Sequence, residues 1–165
     1  MTIINKIIDG KMYAEKLLRD IYPLSKEFQE SFKRKPCLTV ILVGDNPASK
    51  IYIKNKILAA NNNGIESREI LLTSDVSEEE LIQQISILNK DDKIDGILVQ
   101  LPLPKHISEK KIINTINPSK DVDGFHPENM GRMALGLDTY LPATPFGIKL
   151  LLEFYDIETS GKNIV

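Results

Sequence analysis

Three short stretches carry side chains whose types and spacing could do chemistry. In Val43-Gly-Asp-Asn-Pro-Ala-Ser49 and the run on to Lys56, Ser49, Tyr52 and Lys56 recur at i, i+3 and i+7, so on a helix they stack along one side. Ile53, Ala60 and Asn63 share that broad face. The Lys56 amine is thereby set in a semi-apolar stripe, where desolvation favours the neutral form that can take up a proton. The plain alternative is a solvated lysine among many, and Ile51 and Leu58 fall on the other side of the same helix. In Gly96-Ile-Leu-Val-Gln-Leu-Pro-Leu-Pro104, Gln100 ends a buried strand, where open parallel sheets present ligand-binding groups. Its amide can orient a water or hold an amine, or it can simply tie down its own loop. In Asp121-Val-Asp-Gly-Phe-His126, Asp before Gly is ordinary turn chemistry. A fixed carboxylate there could also accept two parallel N–H bonds from an amino-bearing heterocycle.

The elements that must position these groups follow from periodicity. Leu17, Ile21, Leu24, Phe28 and Phe32 describe one helix face from Gly10 to about Phe32, with Pro23 predicting a kink or two shorter pieces. Lys33-Arg34-Lys35 falls at the end of that helix, where it complements the helix dipole. Leu38–Val43 reads as a buried strand between Pro36 and Gly44. A helix then runs to Asn63, with Gly64 as its stop. Glu66–Leu72 is the next strand. Ser77-Glu-Glu-Glu80 is a capping box opening a helix with Leu81, Ile85 and Leu88 inside, and Ile94–Gln100 is a third strand. Strands alternating with helices predict an α/β fold with a parallel sheet and helices on both faces.

Beyond that the texture changes. Six of the nine prolines lie between Pro102 and Pro145, predicting ordered loops over the sheet with one helix near Ser108–Ile116. Thr144-Pro145 opens a further helix striped by Ile148, Leu151, Leu152 and Tyr155. Gly161–Val165 reads as the opening of a strand, as of a truncated second domain. The division expected is therefore residues 1–143 as one domain and 144–165 as a connecting helix and the start of another.

Composition narrows the class. The chain has 165 residues, 42% hydrophobic and 27% charged, enough for a real core. Lys and Arg total 21 against 23 Asp and Glu, a net charge of −2 that gives no reason to propose nucleic acid or an anionic membrane as partner. Apolar runs of four or five residues exclude a membrane-spanning helix. The Ile-rich start is broken by Asn5 and Lys6 and has no cleavage site, so no secretory signal is read there. The single cysteine, Cys37, makes no internal disulfide, and a cytoplasmic location is expected. No phosphate-binding or dinucleotide glycine motif occurs: Gly131-Arg-Met-Ala-Leu-Gly136 is followed by Leu137 and Asp138. His106 and His126 are isolated from each other and from Cys37, so neither a metal site nor a Cys–His nucleophile pair is expected.

Taken together and in order, three segments closely resemble the bifunctional methylenetetrahydrofolate dehydrogenase/methenyltetrahydrofolate cyclohydrolase family. They are Val43–Ser49 leading to Tyr52 and Lys56, Asp95–Pro104, and Lys120-Asp-Val-Asp-Gly-Phe-His-Pro127. Ile8-Asp-Gly-Lys11 and Pro142-Ala-Thr-Pro145 are similar to the family as well, so the likeness spans essentially the whole chain.

The resemblance implies a two-domain cytosolic enzyme of one-carbon metabolism serving purine biosynthesis, usually a homodimer, with folate in the cleft between domains. The first domain supplies the folate side, and a Rossmann-type second domain binds NADP, or NAD in some members. It implies Lys56 as general acid/base and Gln100 as its orienting partner. Tyr52 would stack on the aminobenzoyl part of folate, Asp123 would hold the pterin, and Val99 and Leu101 would line the cleft. Thr144 would reach the nicotinamide. The family's Gly-Arg-Ser segment and its later Pro-Gly-Gly-Val-Gly-Pro motif are expected after Val165, so these residues alone are expected not to transfer hydride. The alternatives are a non-catalytic folate-binding or dimer-forming module, and, more distantly, an unrelated α/β regulatory domain.

Overall fold

The computed structural model describes residues 7–163. Its elements are α1 (Gly10–Phe32), β1 (Cys37–Val43), α2 (Pro47–Asn62), β2 (Glu66–Leu72), α3 (Glu78–Lys90), β3 (Gly96–Val99), α4 (Glu109–Thr115), a 3-10 turn at Pro118–Lys120, α5 (Pro127–Ala134) and α6 (Ala143–Phe154). The three strands form a parallel sheet in the order β2-β1-β3. Leu38 of β1 lies opposite Ser67 on one side and Gly96 on the other.

Because side chains alternate across a strand, the apolar run of β1 feeds two cores. Cys37, Ile41 and Val43 pack with Leu81, Ile85 and Leu88 of α3 and with Ile112 of α4. Val40 and Leu42 pack on the opposite face with Leu98 and with Ile53 of α2. The α/β architecture with helices on both faces is thus as expected. At α3 the capping box is complete, with Ser77 and Glu80 bonding each other's backbone N–H.

Several expectations are corrected. Helix α1 runs through Pro23 unbroken, and Pro23 is exposed, so water can reach the carbonyl that lost its donor one turn back. Leu24 and Phe32 of its apolar stripe stay exposed, while Leu17 and Phe28 are half-buried. Arg34 does not serve the helix dipole: it forks onto Asp95 at 2.6 and 2.8 Å and bonds the Asp92 carbonyl at 3.0 Å. This ties the end of α1 to the start of β3.

The proline-rich segment holds a second helix, α5, in place of a loop. The His126 ring accepts the Glu128 N–H at 3.1 Å and Pro127 takes a first-turn position, so the N-terminus is made by residues other than the usual caps. Met130, Met133 and Ala134 stand at i, i+3 and i+4, but the helix is only eight residues long, with Pro127 and Gly131 in it, and both methionines are exposed. Helix α6 begins at Ala143, with Pro142 as a cap that makes no side-chain bond. Thr144 therefore lies inside the first turn and does not cap it. In its expected stripe Leu151, Leu152 and Tyr155 are half-buried but Ile148 is exposed. Helices α1 and α6 meet through the rings of Tyr13 and Phe154, 4.6 Å apart, and the Asp9 N–H donates to the Tyr155 hydroxyl at 3.0 Å. Residues 161–163 form no strand, and 164–165 lie outside the described residues, as do 1–6.

Candidate active site at the carboxyl end of the sheet

The turn after β1 sets the start of α2. Gly44, at φ 82°, donates its N–H to the Leu72 carbonyl. Asn46 then caps the helix, its side-chain oxygen accepting the N–H groups of Ala48 and Ser49 at 2.9 and 3.2 Å. From there Ser49, Ile53, Ala60 and Asn63 form the buried stripe, and Lys56 sits half-buried within it. Helical side chains lean toward the N-terminus, which here is the end of the helix nearest the strand ends. The Lys56 Nζ reaches the Gln100 Oε1 at 3.4 Å.

Gln100 is held from both sides. Its backbone N–H continues the ladder onto the Ile41 carbonyl at 2.9 Å, and its side-chain amide nitrogen donates to the Leu101 carbonyl at 2.7 Å. That second bond fixes which end of the amide is oxygen: turned over, the amide would point N–H at the lysine and oxygen at a carbonyl. The bland reading, a residue tying its own loop, and the acceptor reading are therefore both realised in one side chain.

The third segment is anchored at its start. Asp121 makes an isolated bridge to Ile97 beside β3, and the Lys120 Nζ donates to the carbonyls of Leu88 and Asp91 at the end of α3. Asp121 is buried, and one of its oxygens accepts the His126 N–H at 2.8 Å and the Asn129 side-chain amide at 2.9 Å. Asp123 is half-buried two residues on. Burial pushes its carboxyl above the usual carboxylate range; the charge of Lys56 pulls it back, and Asp121 adds a further push upward. Gly124, at φ 68°, closes the turn: a Cβ there would meet Leu141 and Pro142 backbone atoms at 2.8 and 2.9 Å. The turn carrying Asp123 is thus pressed against the segment that leads into α6 and Thr144.

Lys56 and Gln100 therefore meet directly, and Asp123 lies near enough for the charge of Lys56 to act on its carboxyl. Tyr52 lies one turn before Lys56 and is 64% exposed as a residue, so it is not part of the packed stripe. Val99 is buried in the cluster beneath α3, on the face of the sheet away from α2, and Leu101 packs against the same cluster half-buried. Neither side chain is on the Lys56 face of the sheet. The Thr144 side chain is exposed at the start of α6. Sequence reasoning missed Asn129 and Thr139: the Asn129 amide donates to the Pro118 carbonyl at 2.9 Å and accepts the Thr139 hydroxyl at 2.8 Å. A polar residue at the third position of an unrecognised helix gave no signal of burial.

Residues 8–123 match the family model for the tetrahydrofolate dehydrogenase/cyclohydrolase catalytic domain. The chain belongs to this family. It is 49% identical over 160 residues to a bifunctional protein FolD from Hydrogenobaculum, covering 96% of this chain and 56% of that relative. The crystal structure of a FolD methylenetetrahydrofolate dehydrogenase/cyclohydrolase from Campylobacter jejuni superposes with a TM-score of 0.90 at 45% identity, over 95% of this chain and 56% of that one. A dehydrogenase-cyclohydrolase from Trypanosoma brucei, solved with NADP and an inhibitor, matches with a TM-score of 0.90 at 29% identity, over 95% of this chain and 54% of that one. The chain thus spans about half the length of the relatives it matches.

Proposed function

We propose that the chain supplies the folate-binding and proton-handling side of a methylenetetrahydrofolate dehydrogenase/methenyltetrahydrofolate cyclohydrolase. The observation that carries the reading is the Lys56 amine, half-buried on the inner face of α2 and aimed at an amide oxygen that is itself held in place. In the dehydrogenase step hydride leaves the one-carbon bridge of the folate and a methenyl cation remains. In the cyclohydrolase step water adds to that cation and the ring opens. A cationic Lys56 would oppose both steps, whereas the neutral amine can take the proton from the attacking water. Gln100 accepts an N–H of Lys56 and so directs the lone pair. Asp123 holds the pterin by two parallel N–H bonds, and Tyr52 offers an exposed ring to the aminobenzoyl group.

NADP, when bound, supplies the hydride acceptor. The exposed Thr144 hydroxyl, in a first helical turn that has no side-chain cap, fits a hydrogen bond to the nicotinamide carboxamide. For Val99 and Leu101 the side chains are packed away from Lys56, so a cleft role for either runs through the backbone. The wider reading is a homodimeric cytoplasmic enzyme serving purine biosynthesis, with residues 1–143 as the folate domain and 144–165 leading toward the nucleotide domain. It rests on family membership.

Lys56→Met keeps the stem of the side chain and removes the amine. Cyclohydrolase turnover of methenyltetrahydrofolate is expected to fall by about 100-fold or more, the usual share of a general acid–base group, with the thermal melt unchanged. Unchanged turnover would remove Lys56 from the chemistry. Folate binding with no turnover in the unmutated protein would favour the non-catalytic module.

A further inference from the structure

Asn129 is 4% exposed, one of six buried polar or charged residues among those described. Its amide makes three bonds to three different segments. It donates to the Pro118 carbonyl in the 3-10 turn, donates to Asp121 at the start of the Asp-Val-Asp-Gly turn, and accepts the Thr139 hydroxyl from the irregular run before α6. The same Asp121 oxygen takes the His126 N–H, so this one atom closes the turn around residues 122–125. Gly124 then rests on Tyr140, Leu141 and Pro142 with no room for a methyl group. Among the described residues, Asp123 makes no such anchoring bond of its own. Its direction is set by the closure on either side of it.

We infer that Asn129, with Thr139 behind it, is the positioning residue for Asp123, and so sets how strongly the site discriminates in favour of an amino-bearing pterin. This rests on the proposed role of Asp123. The physical argument is that paired N–H contacts are strongly directional, and a buried amide satisfied by three segments holds geometry more firmly than a solvent-exposed turn can. Losing the Asn129 contact frees Asp121 and lets the turn relax. A displacement of about 1 Å is enough to cost such a site much of its selectivity.

The test compares the affinities of the purified protein for folic acid and for a 2-desamino-2-methyl folate analogue, which lacks the amino N–H donors. The readout is the ratio of the two. Partial unfolding lowers both affinities together and leaves the ratio unmoved, so a merely structural role does not change it. The unmutated protein should prefer folic acid, and Asp123→Asn should abolish the preference. Asn129→Ser, and Thr139→Val as the milder variant should the first fail to fold, should each reduce the preference by about tenfold, consistent with loss of one buried hydrogen bond; Thr139→Ser, which keeps the hydroxyl, should restore it. If Asp123→Asn abolishes the preference while folded Asn129→Ser and Thr139→Val retain it in full, the positioning role is overturned. If the unmutated protein shows no preference, or Asp123→Asn leaves it intact, the assignment of Asp123 falls and the inference falls with it.

Discussion

Gln100 shows how one side chain can serve two neighbours. Its nitrogen is spent on the Leu101 carbonyl and its oxygen is left for Lys56. Gln100→Met fills the same space and deletes the acceptor, so cyclohydrolase turnover should drop by about tenfold to a hundredfold while KM for the folate moves little. Equal changes in both constants would mean the amide acts in binding and not in directing the amine. Asp123 bears a cost for its place. Burial raises its pKa in the folded chain, so the folded state holds its proton more tightly than the unfolded one. The stability tied to that proton is full below the ordinary carboxylate range and is lost as pH rises through the raised value. Asp123→Asn, which cannot ionise, should therefore be more stable than the unmutated chain at neutral pH and lose that advantage in acid. Denaturant titrations across that range check the sign.

At the scale of elements, turns and caps do the placing. Gly124 combines a left-handed φ with backbone atoms under 3 Å from where a Cβ would sit. Gly124→Ala should cost about 1–3 kcal/mol in strain alone and push the 140–142 segment, and with it the start of α6, away from the Asp123 turn. A melt and a folate-binding isotherm on the same sample separate the two effects. The capping box of α3 is further from the site. Ser77→Ala should cost about 1 kcal/mol and leave any folate affinity untouched. Helix α2 illustrates why its apolar spacing was readable: Ser49, Ile53, Ala60 and Asn63 are all buried in the structure, and a single helical period links them. Helix α5 is eight residues long and its one buried residue, Asn129, is polar, so an apolar period could not point to its buried side.

For the whole molecule, the long-range ties matter most. Arg34 at the end of α1 and Asp95 at the start of β3 form a two-pronged pair, with the Cys37 N–H adding a third bond to Asp95 at 2.8 Å. The Arg34 guanidinium beside it holds the Asp95 carboxyl below the usual range, against the opposing pull of burial. Here the sign is reversed: the stability is present above the ordinary carboxylate pKa and is lost as pH falls through the depressed one. Asp95→Asn should destabilise the chain by about 1–2 kcal/mol near neutrality, the range for a partly exposed charged hydrogen bond. The gap to the unmutated protein should close in acid, as followed by denaturation midpoints. The core on the α3 side is less forgiving, and Leu81→Ala, at a fully buried position, should cost about 2–5 kcal/mol.

Local pattern was sufficient for what local physics controls. The β-branched runs, the capping box and the period of α2 fixed the alternation of strands and helices, because each depends on residues a few places apart. The order and spacing of three motifs carried the family. Pattern failed where a residue's partner lies far along the chain. Arg34 looked like a helix-end charge until Asp95 stood beside it, and Asn129 was an unremarked polar residue. The meeting of Lys56 with Gln100, and the burial that raises Asp123, come from segments brought together by the sheet. Only the packed chain decides them, since distance and desolvation belong to the assembled layers and not to the order of residues.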